Sequence, residues 1–234
     1  MGDHLTARLC FYLQYSVIDA WSRRSGKDTA ERAEQILRRL VNNYRLTNNR
    51  FLVPDVITYT GVMKAYVNRP DGGKKALEIL EEMNDQYRDG NIKARPDVQS
   101  LGVAMDACAK CGLTSEAERI LDGIDDSKKS EVLFNTLISG YKREGRGHEA
   151  EAVLRRMISL EKSGWDRCSP DKITYALCIE AVSVLGFPSL ITFPRFCMAH
   201  LTKTTHIAPP CASSFYASGE TVPPKIEFHG PEHY

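Results

Sequence analysis

The 234-residue chain is 42% hydrophobic and 26% charged, the balance of a soluble folded protein and not of a disordered one. Its formal net charge of +1 excludes a uniformly basic or acidic surface, though a basic stripe can still lie inside a neutral total. Seven cysteines, an odd number with no secretory signal ahead of them, point to reduced thiols and not to a disulfide framework.

Residues 1–11 read as an irregular N-terminus. The start Met1-Gly2-Asp3-His4-Leu5-Thr6 fits the loose myristoylation pattern but is discounted for its acidic Asp3. Apart from His4, Arg8 is the only basic residue before Arg23, so no organelle transit peptide is legible. Helical periodicity begins at about residue 12. Val17, Ile18 and Trp21 form one stripe, Ser25-Gly26 breaks it, and Ala33, Ile36, Leu37 and Leu40 form a second stripe, capped by Asp28 or Thr29. This pair occupies about 12–55. It lacks the Pro-Asp lead-in that marks the later units, so the chain reads as entering in mid-array and as a piece of a longer protein.

The unit at about 56–97 is the clearest. Pro54-Asp55 supplies extended backbone and an N-cap, and Tyr59, Val62, Met63 and Tyr66 recur at helical spacing. Pro70-Asp71-Gly72-Gly73 predicts a turn. A second helix from about Lys74 turns Ala76, Ile79, Leu80 and Met83 inward, and Asp89-Gly90-Asn91 closes the hairpin. The unit at about 98–130 places Leu101, Met105 and Cys108 on its first stripe and Gly112 in the turn. Thr114-Ser115 then predicts a capped start before Ala117, Ile120, Leu121 and Ile124. In the unit at about 131–171 the stripes are Phe134, Leu137, Ile138 and Tyr141, then, past Gly145, Ala150, Val153, Leu154 and Met157. A half unit at 172–185 carries Tyr175, Ile179 and Val182.

Residues 186–234 change character. Seven of the eleven prolines fall between Pro188 and Pro231, with few charges and no helical period, so an irregular tail is expected, or a mistaken reading of the gene. The longest apolar run, around residues 181–193, is broken by Pro188 and too short for a bilayer, so no membrane partner is expected.

The phrase Pro54-Asp55-Val56-Ile57-Thr58-Tyr59, echoed in Pro96-Asp97-Val98 and in Pro170-Asp171-Lys172-Ile173-Thr174-Tyr175, sets a period of a few tens of residues. Such a period belongs to a solenoid of helical hairpins and not to an enzyme domain. No P-loop, nucleophile elbow, H-E-x-x-H or Gly-rich dinucleotide fingerprint is present, so neither enzymatic activity nor a cofactor is expected. Cys108 and Cys111 form the only C-x-x-C; without a second pair or a suitably spaced histidine it reads as helix packing and no metal site is assigned. One offset is basic across the units: two residues past Trp21, Tyr66, Cys108 and Tyr141 stand Arg23, Asn68, Lys110 and Arg143. Arg23, Lys110 and Arg143 would give a stripe suited to phosphates, or be solvated surface charges.

The segment Phe134-Asn135-Thr136-Leu137-Ile138-Ser139-Gly140-Tyr141, with Gly145, Ala150, Met157 and Pro170-Asp171, resembles the pentatricopeptide repeat, as does Pro54-Asp55-Val56-Ile57-Thr58-Tyr59-Thr60. The resemblance covers about residues 12–185. It implies an all-α protein: an α-α solenoid in which antiparallel helical hairpins wind into a right-handed superhelix, with first helices lining a groove for single-stranded RNA. The implied function is an RNA-binding adaptor, monomeric, in organellar RNA processing, stability or translation, located in a mitochondrion or plastid. A helical scaffold holding a protein partner in the same groove is the alternative. The family pattern makes Thr60 with Asp97, and Asn135 with Asp171, base-reading pairs, the first for G and the second for U. Ile57, Val132 and Ile173 fall where the family sandwiches bases, a role from which Gln99 departs. Gly102 with Ser130 reads nothing by this pattern, and Ala176 is equally mute. Asp55, Asp97 and Asp171 also serve as plain N-caps, and Asn135 and Thr60 as ordinary polar residues at a helix start.

Overall fold

A computed structural model describes residues 16–23, 28–47, 49 and 52–183. The predicted irregular N-terminus (1–11), the Ser25-Gly26 break and the Pro-rich tail (186–234) lie outside the described residues. Those described are all-helical: α1 (16–22), α2 (Thr29–Thr47), α3 (Val56–Tyr66), α4 (Gly72–Arg88), α5 (Val98–Lys110), α6 (Thr114–Asp122), α7 (Glu131–Arg143), α8 (Gly147–Lys162) and α9 (Lys172–Ser183).

Successive helices pair as hairpins, and the hairpins stack into an α-solenoid. The first helices α3, α5, α7 and α9 pack one on the next. Each second helix lies against its own first helix and the following one: α4 against α3 and α5, α6 against α5 and α7, α8 against α7 and α9. Among the described residues the second helices form no matching row of their own. The second helices α2, α4, α6 and α8 are amphipathic, with one covered face; α3, flanked on several sides, is apolar almost all round.

The core follows the sequence stripes. Tyr59, Val62, Met63 and Tyr66 are buried, as are Ala76, Ile79, Leu80 and Met83, Phe134, Leu137, Ile138 and Tyr141, and Ala150, Val153, Leu154 and Met157. Val17 departs from its predicted stripe and is 41% exposed, while its neighbour Ile18 is buried against Gly61 of α3. Leu101, Ile120 and Ile179 are only half-buried.

Two helix starts differ from expectation. α4 begins at Gly72, not near Lys74, so the paired glycines lie inside the helix and outside the turn. Their role is close approach: a Cβ on Gly72 would stand 2.0 Å from the Tyr66 carbonyl oxygen, in contact with the end of α3. In α6, Thr114 is the first helical residue and makes no side-chain cap. Its free N–H and its hydroxyl instead donate to Glu144 Oε1 (3.1 and 2.5 Å), a carboxylate from the end of α7. The next hairpin thus caps this one.

Two hairpin turns behave as predicted. Gly112 and Gly145 take positive φ (75° and 69°) just past α5 and α7, and the residues after them donate back to the carbonyls of Cys108 and Tyr141 (2.9 Å each). Polar bonds also tie hairpin to hairpin. Tyr66 in α3 donates to Glu34 in α2, and Tyr141 in α7 donates to Glu118 in α6, both at 2.5 Å. Arg69 and Arg146 stack on these two rings at 5.6 and 4.7 Å. Burial opposes the charge on Glu34, but bonds from Tyr66 and Arg38 outweigh it and hold its carboxyl below the usual range.

The hydroxyl of Tyr59 is buried and has no hydrogen-bond partner among the described residues. Phe134 occupies the corresponding place in α7 and is equally buried. Tyr59→Phe is therefore expected to leave stability unchanged or raise it, whereas Tyr66→Phe, which strips Glu34 of a donor, costs about 1.5 kcal/mol. Urea denaturation of the two variants beside the parent chain checks this.

Candidate nucleic-acid interface

The site grows from the first turns of the first helices. Asp55 Oδ1 accepts from the N–H and hydroxyl of Thr58 (2.9 and 2.7 Å), Asp97 Oδ1 from the N–H of Ser100 (2.7 Å), and Asp171 Oδ1 from the N–H and hydroxyl of Thr174 (2.7 and 2.8 Å). All three phrase aspartates are N-caps, so each helix start is fixed in the same way relative to its groove. Beside them Ile57, Val132 and Ile173, each the second residue of its helix, stand 52, 64 and 62% exposed. Three branched apolar side chains left in water at one repeated position offer flat contacts for something planar. Gln99, also exposed, takes that place in α5.

The structure treats the two candidate reading pairs differently. Asn135 and Asp171, 36 positions apart, are joined. The link is the Thr174 hydroxyl, which lies 2.7 Å from Asn135 Oδ1 and 2.8 Å from Asp171 Oδ1 and shares its one proton between the two acceptors. Burial works against the charge on Asp171, but the bonds from Thr174, Asn135 and Ile173 prevail and hold its carboxyl below the ordinary range. Thr60 is 6% exposed, and its hydroxyl donates to the Val56 carbonyl one turn back at 2.6 Å. Among the described residues no hydrogen bond joins Thr60 to Asp97, whose cap partner Ser100 is occupied with the Asp97 backbone. Thr60 is thus poorly presented for contact with a base. In α5, Gly102 lines a largely apolar groove with Gln99 and Ser130, and Ser130 makes no side-chain cap.

Two of the three basic candidates come together. Lys110 and Arg143 line an open groove of about 300 Å³ between α5 and α7 together with Val132 and Asn135. The same two side chains meet Asn68 in the adjoining groove. Lys110 is held by Asp106 at 2.9 Å, one turn back on its own helix. Among the described residues Arg143 is exposed and has no carboxylate partner. Arg23 is exposed, pairs with Asp19 at 3.0 Å and lines neither groove.

Cys108 and Cys111 hold the α3–α4 corner. Cys111 Sγ accepts from the Gly73 N–H and donates to the Arg69 carbonyl, both at 3.1 Å, and burial pushes the Cys108 thiol up to about 12. Among the described residues no group of three His, Cys, Asp or Glu side chains is placed to hold a metal ion, and no helix is long and apolar enough to cross a membrane. Sequence reasoning missed Thr174 as part of the site. The signal was its place in the recurring phrase, shared with Thr58 and Ser100.

Comparison with known proteins bears on this surface. The family model of the PPR repeat matches residues 100–127 and 132–161, two repeats that carry Lys110, Asn135 and Arg143. A pentatricopeptide repeat-containing protein of Arabidopsis thaliana is 35% identical over 104 residues, 42% of this chain and 14% of that protein. A second from the same plant is 30% identical over 133 residues, 57% of this chain and 15% of the relative. A third, whose name includes the word mitochondrial, is 23% identical over 145 residues, 61% of this chain and 19% of the relative. The chain therefore spans a small part of the length of the relatives it matches.

The Asp171 cap has a calculable signature in stability. Asp171→Ala is expected to cost about 1 kcal/mol at pH 7. Because the folded carboxyl lies below its unfolded value of about 3.9, the contribution is complete above that pH and fades as pH falls through the folded value. Thermal melts of parent and variant at pH 7 should differ, and the difference should shrink steadily in acid.

Proposed function

This chain is a pentatricopeptide repeat protein, and from that premise we propose that it is a non-enzymatic adaptor which docks single-stranded RNA along its row of first helices. The observation that carries the reading is Asn135 and Asp171 meeting at the Thr174 hydroxyl, flanked by exposed Val132 and Ile173 and adjoining the Lys110–Arg143 groove. The parts divide the work of such an interface. Branched apolar faces take the planes of bases, an amide reads an edge, and cations meet phosphates without regard to sequence.

Asn135 with Asp171 is the pair to favour uracil. Thr60 with Asp97 reads weakly in this proposal, since the Thr60 hydroxyl is buried and turned to its own helix. Arg143 is the foremost phosphate contact, Lys110 shares its charge with Asp106, and Arg23 contributes from a separate part of the surface. A role in organellar RNA processing, stability or translation, in a mitochondrion or plastid, accords with the relative named as mitochondrial. The few units described engage only a few nucleotides, and the chain acts as a monomer on RNA.

Fluorescence anisotropy with labelled single-stranded RNA at a series of salt concentrations tests the proposal. Binding should fall with salt, and Lys110→Gln combined with Arg143→Gln should reduce the log–log slope by about 1.4, two contacts at about 0.7 each. Absence of binding at low salt, or binding without a salt slope, overturns the reading and favours a protein partner in the groove.

A further inference from the structure

The second helices carry a surface of their own. α2 and α4 each pack on α3, and between them lies an open groove of about 520 Å³ to whose lining no first helix contributes. Glu78, Glu82, Asp85 and Asp89 recur along α4 at helical spacing, so their carboxylates form one strip about 16 Å long. Glu81 widens the strip, and Arg45 of α2 stands on the other wall. Lys75 pairs with Glu78 and Arg88 with Asp85 (2.7 and 3.1 Å), while among the described residues Glu81, Glu82 and Asp89 have no cationic partner. Carboxylates one turn apart repel, and Asp85 and Asp89 stand at the helix end where the macrodipole favours cations. The strip therefore costs α4 stability that folding does not recover.

The floor of the groove supplies a second, independent sign of a ligand. Tyr59 of α3 belongs to one apolar cluster with Leu40 and Val41 of α2 and Ile79 and Met83 of α4, so its ring fills the gap beneath the two helices. Its hydroxyl is buried, has no hydrogen-bond partner among the described residues, and is close enough to Glu82 and Arg45 for both charges to act on it. A phenol left unsatisfied between two residues of the groove wall is aimed at what enters the groove. In the last turns of the same two helices, Leu46 and Tyr87 are 83 and 39% exposed, apolar surface at the end of the acidic strip.

We propose that this groove docks a basic, amphipathic segment of a partner protein. Arginines of the segment lie on the α4 carboxylates, one of them donates to the Tyr59 hydroxyl, and an apolar side chain meets Leu46 and Tyr87. The same strip repels nucleic acid, so protein and RNA take different faces of the array. The inference uses none of the residues of the RNA reading and stands or falls apart from it.

The probe is a fluorescein-labelled amphipathic peptide of leucine and arginine, with a twin in which glutamate replaces arginine, both followed by anisotropy against the full chain. The arginine peptide should bind and its twin should not. Glu81→Gln, Glu82→Gln and Asp89→Asn together should weaken binding about tenfold. Removing like charges from α4 keeps or raises its stability, so that loss reads docking and not unfolding. Neutralising Asp125, Glu131 and Asp166, three exposed acids outside the groove, makes the same change in net charge and should leave affinity unchanged. Tyr59→Phe, expected to cost no stability, should weaken binding about fivefold, the worth of one net hydrogen bond. An arginine peptide that does not bind overturns the proposal. So do equal losses from the two neutralised triples, or no effect of Tyr59→Phe, either of which marks attraction by net charge alone. Sedimentation showing that the chain dimerises, and that the groove triple abolishes the dimer, also overturns it and gives the groove to a second copy.

Discussion

No single helical hairpin of this chain can cover both sides of its first helix, and the structure depends on how the next hairpin supplies the missing side. α5 has α4 and α6 against it, and α3 and α7 as neighbours in its own row. That arrangement buries Met105 and Cys108 completely and leaves the second residue of the helix, Gln99, in solvent. The same constraint gives every first helix one free strip. Polar and apolar groups on that strip are surplus to folding, and they are where a function is to be sought.

The polar bonds between hairpins tell the same story in a different currency. Tyr66 with Glu34 and Tyr141 with Glu118 use the inward tyrosine of a first helix to reach the second helix before it. Thr114 takes its helix cap from Glu144 of the hairpin that follows. These bonds sit at half-buried edges where a lone hydroxyl or carboxylate would be poorly solvated, so they favour one stacking register over a slide. In α5 the equivalent of the clamping tyrosine is Cys108. There the contact is a packed thiol, and the α3–α4 corner is held by Cys111 and by glycines admitting close approach.

Much of this was legible in advance because it depends on spacing. A period near 3.6 placed the inward residues, the Pro-Asp phrase placed three N-caps, and Gly112 and Gly145 placed two turns. The misses share one cause. Gly72 and Gly73 looked like turn residues, and only the Tyr66 carbonyl packed against them shows why they lie within a helix. Thr114 looked like a cap because its partner, Glu144, is thirty residues away. The burial of the Thr60 hydroxyl was equally hidden, since nothing local distinguishes it from Asn135 at the same place in its helix. Thr174 was visible as a letter of the phrase, but its bond to Asn135 spans 39 residues.

By itself, then, the sequence determined the all-helical hairpin array, the inward stripes and the capped helix starts, because helix periodicity and capping are set within a few residues of chain. The tertiary structure decided which polar residues share a site. It joined Asn135 to Asp171 through Thr174 and brought Lys110 beside Arg143, while Arg23 stayed apart and Thr60 was turned inward. Those outcomes depend on side chains from different hairpins meeting within hydrogen-bond reach, a distance fixed by packing and not by position along the chain.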